Sequence, residues 1–115
     1  MRILILGAGK MGSFFVDLLS FEHETAVYEV DPKRLRFMYN TLRFTTLEEI
    51  DDFKPELVIN AVTLKYTIDV FREVIPHLPK DCILSDIASV KTHLQGFYEQ
   101  CGFRYVSTHP MFGPT

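Results

Sequence analysis

Two cysteines in 115 residues, no long apolar run and no basic block describe this chain first by what it lacks. Cys82 and Cys101 have neither metal-ligand spacing nor a partner motif, which excludes a zinc module and a disulfide scaffold. They read as reduced thiols of a cytoplasmic protein, with no metal expected. The apolar runs are strand-long and fall far short of the roughly 18 residues of a membrane helix. The N-terminal run enters a glycine turn directly, so no signal peptide and no membrane association are expected. With 12 basic and 15 acidic residues the net charge is −3, which leaves no electrostatic footprint for nucleic acid. The densest charge cluster, Glu48-Glu49-Ile50-Asp51-Asp52, reads as a solvated helix face. No repeat, linker or low-complexity tract divides the chain. At 47% hydrophobic residues it can bury one core, so residues 1–115 are expected to form a single domain.

What is present begins at once. Arg2 to Leu6 is an apolar run without a turn residue, the pattern of a strand buried on both faces. Gly7, Gly9 and Gly12 follow with G-x-G-x-x-G spacing, and Met11, Phe14, Phe15, Leu18 and Leu19 then recur at helical spacing. Strand, glycine turn and helix together point to a dinucleotide. Gly7 permits the tight turn, Gly9 lets a pyrophosphate approach the backbone, and Gly12 allows close packing of helix on strand. The N–H groups and positive dipole end of the helix face the phosphates. The bland alternative is a tight strand–helix turn with incidental glycines.

The spacing predicts a first helix over 10–21 and a second strand over Thr25–Glu29. Glu29 lies 17 residues after Gly12 and 22 after Gly7, where this fold carries the acid that hydrogen-bonds the adenosine ribose. A carboxylate there favours NAD, because it repels the 2′-phosphate of NADP. A surface charge at a strand end is the alternative, and Lys33 and Arg34 keep NADP open. Asp31 caps a helix predicted over 32–40, with Pro32 in its first position. A short edge strand (43–46), a brief helix capped by Thr45 or Thr46 and running through Ile50, and a fourth strand (Glu56–Asn60) follow. Ala61, Val62 and Thr63 then stand at the carboxyl edge beside the first strand, where their backbone would line the cofactor. A helix is predicted over 65–77, closed by Pro76 and Pro79; His77 at its end reads as a surface or dipole partner. Cys82–Asp86 is the fifth strand, Thr92–Gln100 a helix stopped by Gly102, and Phe103–Ser107 the sixth strand. The alternation argues an α/β fold: a doubly wound parallel sheet of Rossmann type, in three layers α/β/α.

Ser89 and His109 emerge after the carboxyl ends of strands five and six, both on the cofactor side. A histidine in a proline-flanked loop is a candidate general base. Alone it could equally be a loop histidine satisfied by backbone, and Ser89 could be the cap of the next helix. Asp86-Ile-Ala-Ser-Val-Lys91, then His109-Pro-Met-Phe-Gly113-Pro, behind Gly-Ala-Gly-Lys-Met-Gly, resembles the prephenate dehydrogenase family along essentially the whole chain. That resemblance implies NAD as cofactor, held by Gly7, Gly9, Lys10, Met11, Gly12, Glu29, Val62 and Thr63. It implies His109 and Ser89 as catalytic residues at the substrate hydroxyl, and Lys91 matches the family's lysine, with no role assigned beyond local charge. It implies oxidative decarboxylation of prephenate to 4-hydroxyphenylpyruvate in tyrosine biosynthesis, and a homodimer formed through a helical domain. Thr63 stands where the family often has proline. The chain stops at Thr115, before that helical domain and its substrate-binding arginine, so the piece alone is expected to be inactive. Arogenate dehydrogenase, a β-hydroxyacid dehydrogenase or an imine reductase share the nucleotide-binding half. A non-catalytic NAD-sensing module would need the glycines and Glu29 but no base.

Overall fold

The computed structural model describes residues 1–36, 38–87 and 92–107. Six strands, β1 (Arg2–Leu6), β2 (Glu24–Tyr28), β3 (Leu42–Phe44), β4 (Leu57–Asn60), β5 (Ile83–Asp86) and β6 (Arg104–Ser107), form one parallel sheet. The order is β3-β2-β1-β4-β5-β6. The chain therefore winds outward one way from β1, then returns and winds the other way from β4. The crevice between β1 and β4 is the switch point of the sheet.

The central strands β1 and β4 read as nearly unbroken apolar runs because helices cover both faces. Side chains alternate across a strand, so Ile3 and Ile5 join Val27 and Ile59 on one face, where Val16 of α1 (Lys10–Leu19) and Leu35 of α2 (Pro32–Leu35) pack on them. Leu4 and Leu6 join Ala26, Val58 and Leu84 on the other. There they meet Ile50 and Phe53 of α3 (Leu47–Phe53), Phe71 and Val74 of α4 (Thr67–Val74), and Leu94 and Tyr98 of α5 (Thr92–Cys101). Leu4, Ile5, Leu6, Val58 and Leu84 are fully buried. At about 1.5–3 kcal/mol for each large apolar side chain, these central strands dominate the stability.

Several boundaries differ from expectation. The helix predicted over 32–40 ends at Leu35. Met38 donates its N–H back to the Leu35 carbonyl, a tighter i→i+3 bond, and its side chain is buried in the smaller core. Asn40 then turns with φ +62°, so the chain reaches β3 within two residues. The helix α3 runs to Phe53 rather than Ile50. Thr46 and Glu49 cap it reciprocally, and Lys54 stops it with φ +54°. The helix predicted over 65–77 has its α-helical part only at Thr67–Val74, flanked by 3-10 turns at Leu64–Tyr66 and Ile75–His77. Pro76 enforces the second turn, since it has no N–H to continue the ladder. Asp31 caps α2 as expected, accepting from the Lys33 N–H at 3.0 Å. His77 is a surface partner: its Nδ1 lies 3.0 Å from Asp51 Oδ2 of α3. Among the described residues, no helix is long and apolar enough to cross a membrane.

Candidate functional site

The turn between β1 and α1 is stitched to both neighbouring strands. Gly7 N–H donates to the Tyr28 carbonyl of β2 at 3.0 Å, and Ala61 N–H after β4 donates to the Leu6 carbonyl at 2.9 Å. Gly7 has φ +96°, a backbone angle that side chains resist. A Cβ at Gly12 would strike the Gly7 carbonyl oxygen, so only glycine lets α1 sit this close to the strand. Gly9 differs: a Cβ there would meet no heavy atom within 4 Å, which leaves open space over its backbone. Ser13 N–H is the first in α1 to reach back, to the Gly9 carbonyl at 2.9 Å. The N–H groups of Lys10, Met11 and Gly12 precede that ladder and lie at the positive end of the helix, an anion-binding arrangement.

Glu29 follows β2, and its own N–H still donates to the Phe44 carbonyl of β3 at 3.0 Å. Its carboxylate bends back over the glycine turn. Oε1 accepts from the Ala8 N–H at 3.0 Å, and Oε2 from the Asp31 N–H at 3.3 Å. The side chain is 12% exposed, and Arg34 Nη1 approaches only to 4.0 Å from an exposed position. Backbone donors therefore hold this acid more than the ion pair does.

Opposite stands the segment after β4. Asn60, at the end of the strand, is buried. Its Oδ1 accepts from the Val62 N–H at 3.1 Å, and its Nδ2 donates to the Thr67 carbonyl at 3.0 Å. Thr67 Oγ1 in turn lies 3.1 Å from the Thr63 carbonyl and 3.3 Å from that of Val62. This clasp shapes residues 61–66. The pattern of the sequence marked Asn60 only as a strand end; its role emerges when the loop folds back onto α4. A second unforeseen pair crosses from β2 to α4: Tyr28 OH donates to Glu73 Oε1 at 2.8 Å. Burial, followed by the Glu73 hydrogen bond and charge, pushes the Tyr28 phenol well above its ordinary range.

Between these walls lies a cleft of about 540 Å³, within the range of small-molecule sites. Gly7, Gly9, Tyr28, Glu29, Val30 and Arg34 line one side, and Ala61, Val62, Thr63, Tyr66, Asp69, Val70 and Glu73 the other. Gly7, Gly9, Glu29, Val62 and Thr63 are thus brought together. Lys10, Met11 and Gly12 sit in the first turn of α1 and do not line the cleft. Ser89, Lys91 and His109 lie outside the described residues. Asp86, at the end of β5, is buried and accepts from Tyr98 OH at 2.7 Å.

Comparison with known proteins agrees with this geometry. Over 120 aligned residues the chain is 42% identical to the T-protein of Enterobacter agglomerans, covering 97% of this chain and 27% of that one. Over 65 residues it is 40% identical to a Methanocaldococcus jannaschii protein named "Probable arogenate/prephenate dehydrogenase", covering 54% of this chain and 15% of that one. The chain thus spans about a quarter or less of the length of these relatives. Its fold is similar to that of prephenate dehydrogenase from A. aeolicus, solved in complex with hydroxyphenyl propionate and NAD+. The TM-score is 0.86 at 22% identity, over all of this chain and 43% of that one. Residues 21–115 match the family described as the nucleotide-binding domain of prephenate dehydrogenase, and the chain belongs to that family.

Proposed function

We propose that this chain is the NAD-holding part of a dehydrogenase that oxidatively decarboxylates prephenate to 4-hydroxyphenylpyruvate. The observation that carries the reading is the Glu29 carboxylate, docked over the glycine turn by the Ala8 N–H at the mouth of the cleft. The open space over Gly9 and the leading N–H groups of α1 fit a pyrophosphate. Glu29 fits a ribose diol as acceptor. The cleft carries three carboxylates, Glu29, Asp69 and Glu73, against one guanidinium, Arg34. That balance favours NAD over NADP, whose additional phosphate would enter a negative field.

In this reading Gly7, Gly9, Lys10, Met11, Gly12, Glu29, Val62 and Thr63 hold NAD, which supplies a two-electron acceptor when bound. His109 holds the substrate's hydroxyl and takes its proton, and Ser89 orients the same hydroxyl. Loss of carbon dioxide makes the ring aromatic, so the protein chiefly aligns the groups and provides one base. The chain spans about a quarter or less of its relatives' length, and in this reading a helical domain with homodimer contacts completes the site, so the described piece is expected to bind NAD without appreciable turnover. Arogenate is the second substrate to test, because the similarity extends to a protein whose name carries both substrates.

The test is calorimetric titration of this chain with NAD and NADP. Saturable NAD binding, weakened by Glu29→Ala, is expected; no binding overturns the reading. The substrate is tested with a family member carrying this chain and its helical domain, given prephenate or arogenate and followed by NADH absorbance.

A further inference from the structure

The cleft holds polar groups that the glycine turn and Glu29 leave unused. Its α4 wall carries Asp69 and Glu73, spaced i and i+4 on one side of the helix. Glu73 is tethered, because Tyr28 OH donates to its Oε1 at 2.8 Å from the end of β2, the residue before Glu29. The bond consumes the phenol's single proton and one carboxylate oxygen, and it leaves Oε2 as an oriented acceptor. Val30, Val62, Val70 and the Tyr66 ring supply apolar surface around it. A group lodged there must be flat and apolar on its faces and must donate a hydrogen bond from its edge.

With phosphates at the α1 N-terminus and a ribose at Glu29, the base is the part of the dinucleotide left for this slot. We propose that Glu73, held by Tyr28, reads the exocyclic amino group of adenine and so makes the cleft selective for 6-aminopurine over 6-oxopurine dinucleotides. This rests on the NAD reading above. A 6-oxo group presents a carbonyl oxygen to the carboxylate, which has no proton to give. Glu73 is itself exposed, so the discrimination is that of one charge-assisted hydrogen bond at the rim of the cleft.

The experiment titrates the chain with NAD and with nicotinamide hypoxanthine dinucleotide, which carries a carbonyl oxygen in place of the 6-amino group and a hydrogen on the neighbouring N1. Wild type is expected to bind NAD about tenfold more tightly or better. Glu73→Gln can turn its amide to accept or donate, and should bring the two affinities within about twofold. Tyr28→Phe frees Glu73 and should narrow the preference, whereas Asp69→Asn should keep it. Thermal melts confirm that each variant is folded. Equal binding of both dinucleotides by wild type overturns the proposal, as does an undiminished preference in folded Glu73→Gln or its loss in Asp69→Asn alone. Binding of neither dinucleotide instead overturns the NAD reading itself, and this inference with it.

Discussion

A methyl group added at Gly12 would be driven into the Gly7 carbonyl oxygen, whereas one added at Gly9 would meet no heavy atom within 4 Å. Two glycines of one motif therefore carry different burdens. Gly12→Ala forces α1 away from the strand and is expected to cost about 3 kcal/mol in urea unfolding. Gly9→Ala costs the fold at most about 1 kcal/mol, as a poorer helix cap. It should nonetheless weaken NAD binding about tenfold, because its Cβ fills the space left for phosphate. Equal loss of stability in the two variants would contradict this division. The spacing made the motif legible, and Glu29 with it. The sequence could not distinguish the glycine needed by the fold from the one needed by a ligand, because that depends on what lies across the turn. Asn60 and Glu73 were illegible for the same reason: their partners, Thr67 and Tyr28, are set by how α4 lies on the sheet. For the proposed base, His109→Asn in a complete enzyme should lower kcat about 10²- to 10⁴-fold with NAD affinity near wild type. An unchanged kcat would remove His109 from that role.

The strands were readable to within a residue or two, the central ones most plainly because burial on both faces writes itself as an apolar run. Helix lengths were less so. The pattern over 32–40 is helical enough, yet α2 is one turn long, since the chain must turn back to lay Met38 in the core and begin β3 at Leu42. The end of β5 holds a pair with no local signature, Asp86 and Tyr98. Tyr98→Phe removes the hydroxyl and leaves the ring against Tyr105, with which it stacks at 4.4 Å. The loss therefore reads the bond to a buried carboxylate rather than packing, and is expected to be about 1–3 kcal/mol by denaturant unfolding. Because Asp86 leads directly into the segment that carries Ser89, the same variant in a complete enzyme tests whether this anchor matters to turnover. A stability equal to wild type would mean that the hydroxyl contributes nothing net.

The molecule as a whole holds three weak acids in protonated form inside the sheet's larger core, and this gives its stability a direction in pH. Burial, with Asp81 nearby, pushes the Cys82 thiol from 9.0 up to about 12. Burial, then the bonds and charges of Glu73 and Asp86, raises the Tyr28 and Tyr98 phenols above their ordinary 10.0. In each case the folded state keeps a proton that the unfolded chain releases first. The contribution is therefore complete below the unfolded value and is lost as pH rises toward the folded one. For Cys82 that window runs from 9.0 to about 12, with a slope of at most about 1.4 kcal/mol per pH unit. The tyrosines add to it from 10.0 upward. Urea midpoints are expected to fall progressively above pH 9.0, and Cys82→Ala, though less stable throughout, should flatten the first part of that fall. A wild-type profile level to about pH 11 would mean that these groups are hydrated in the folded state.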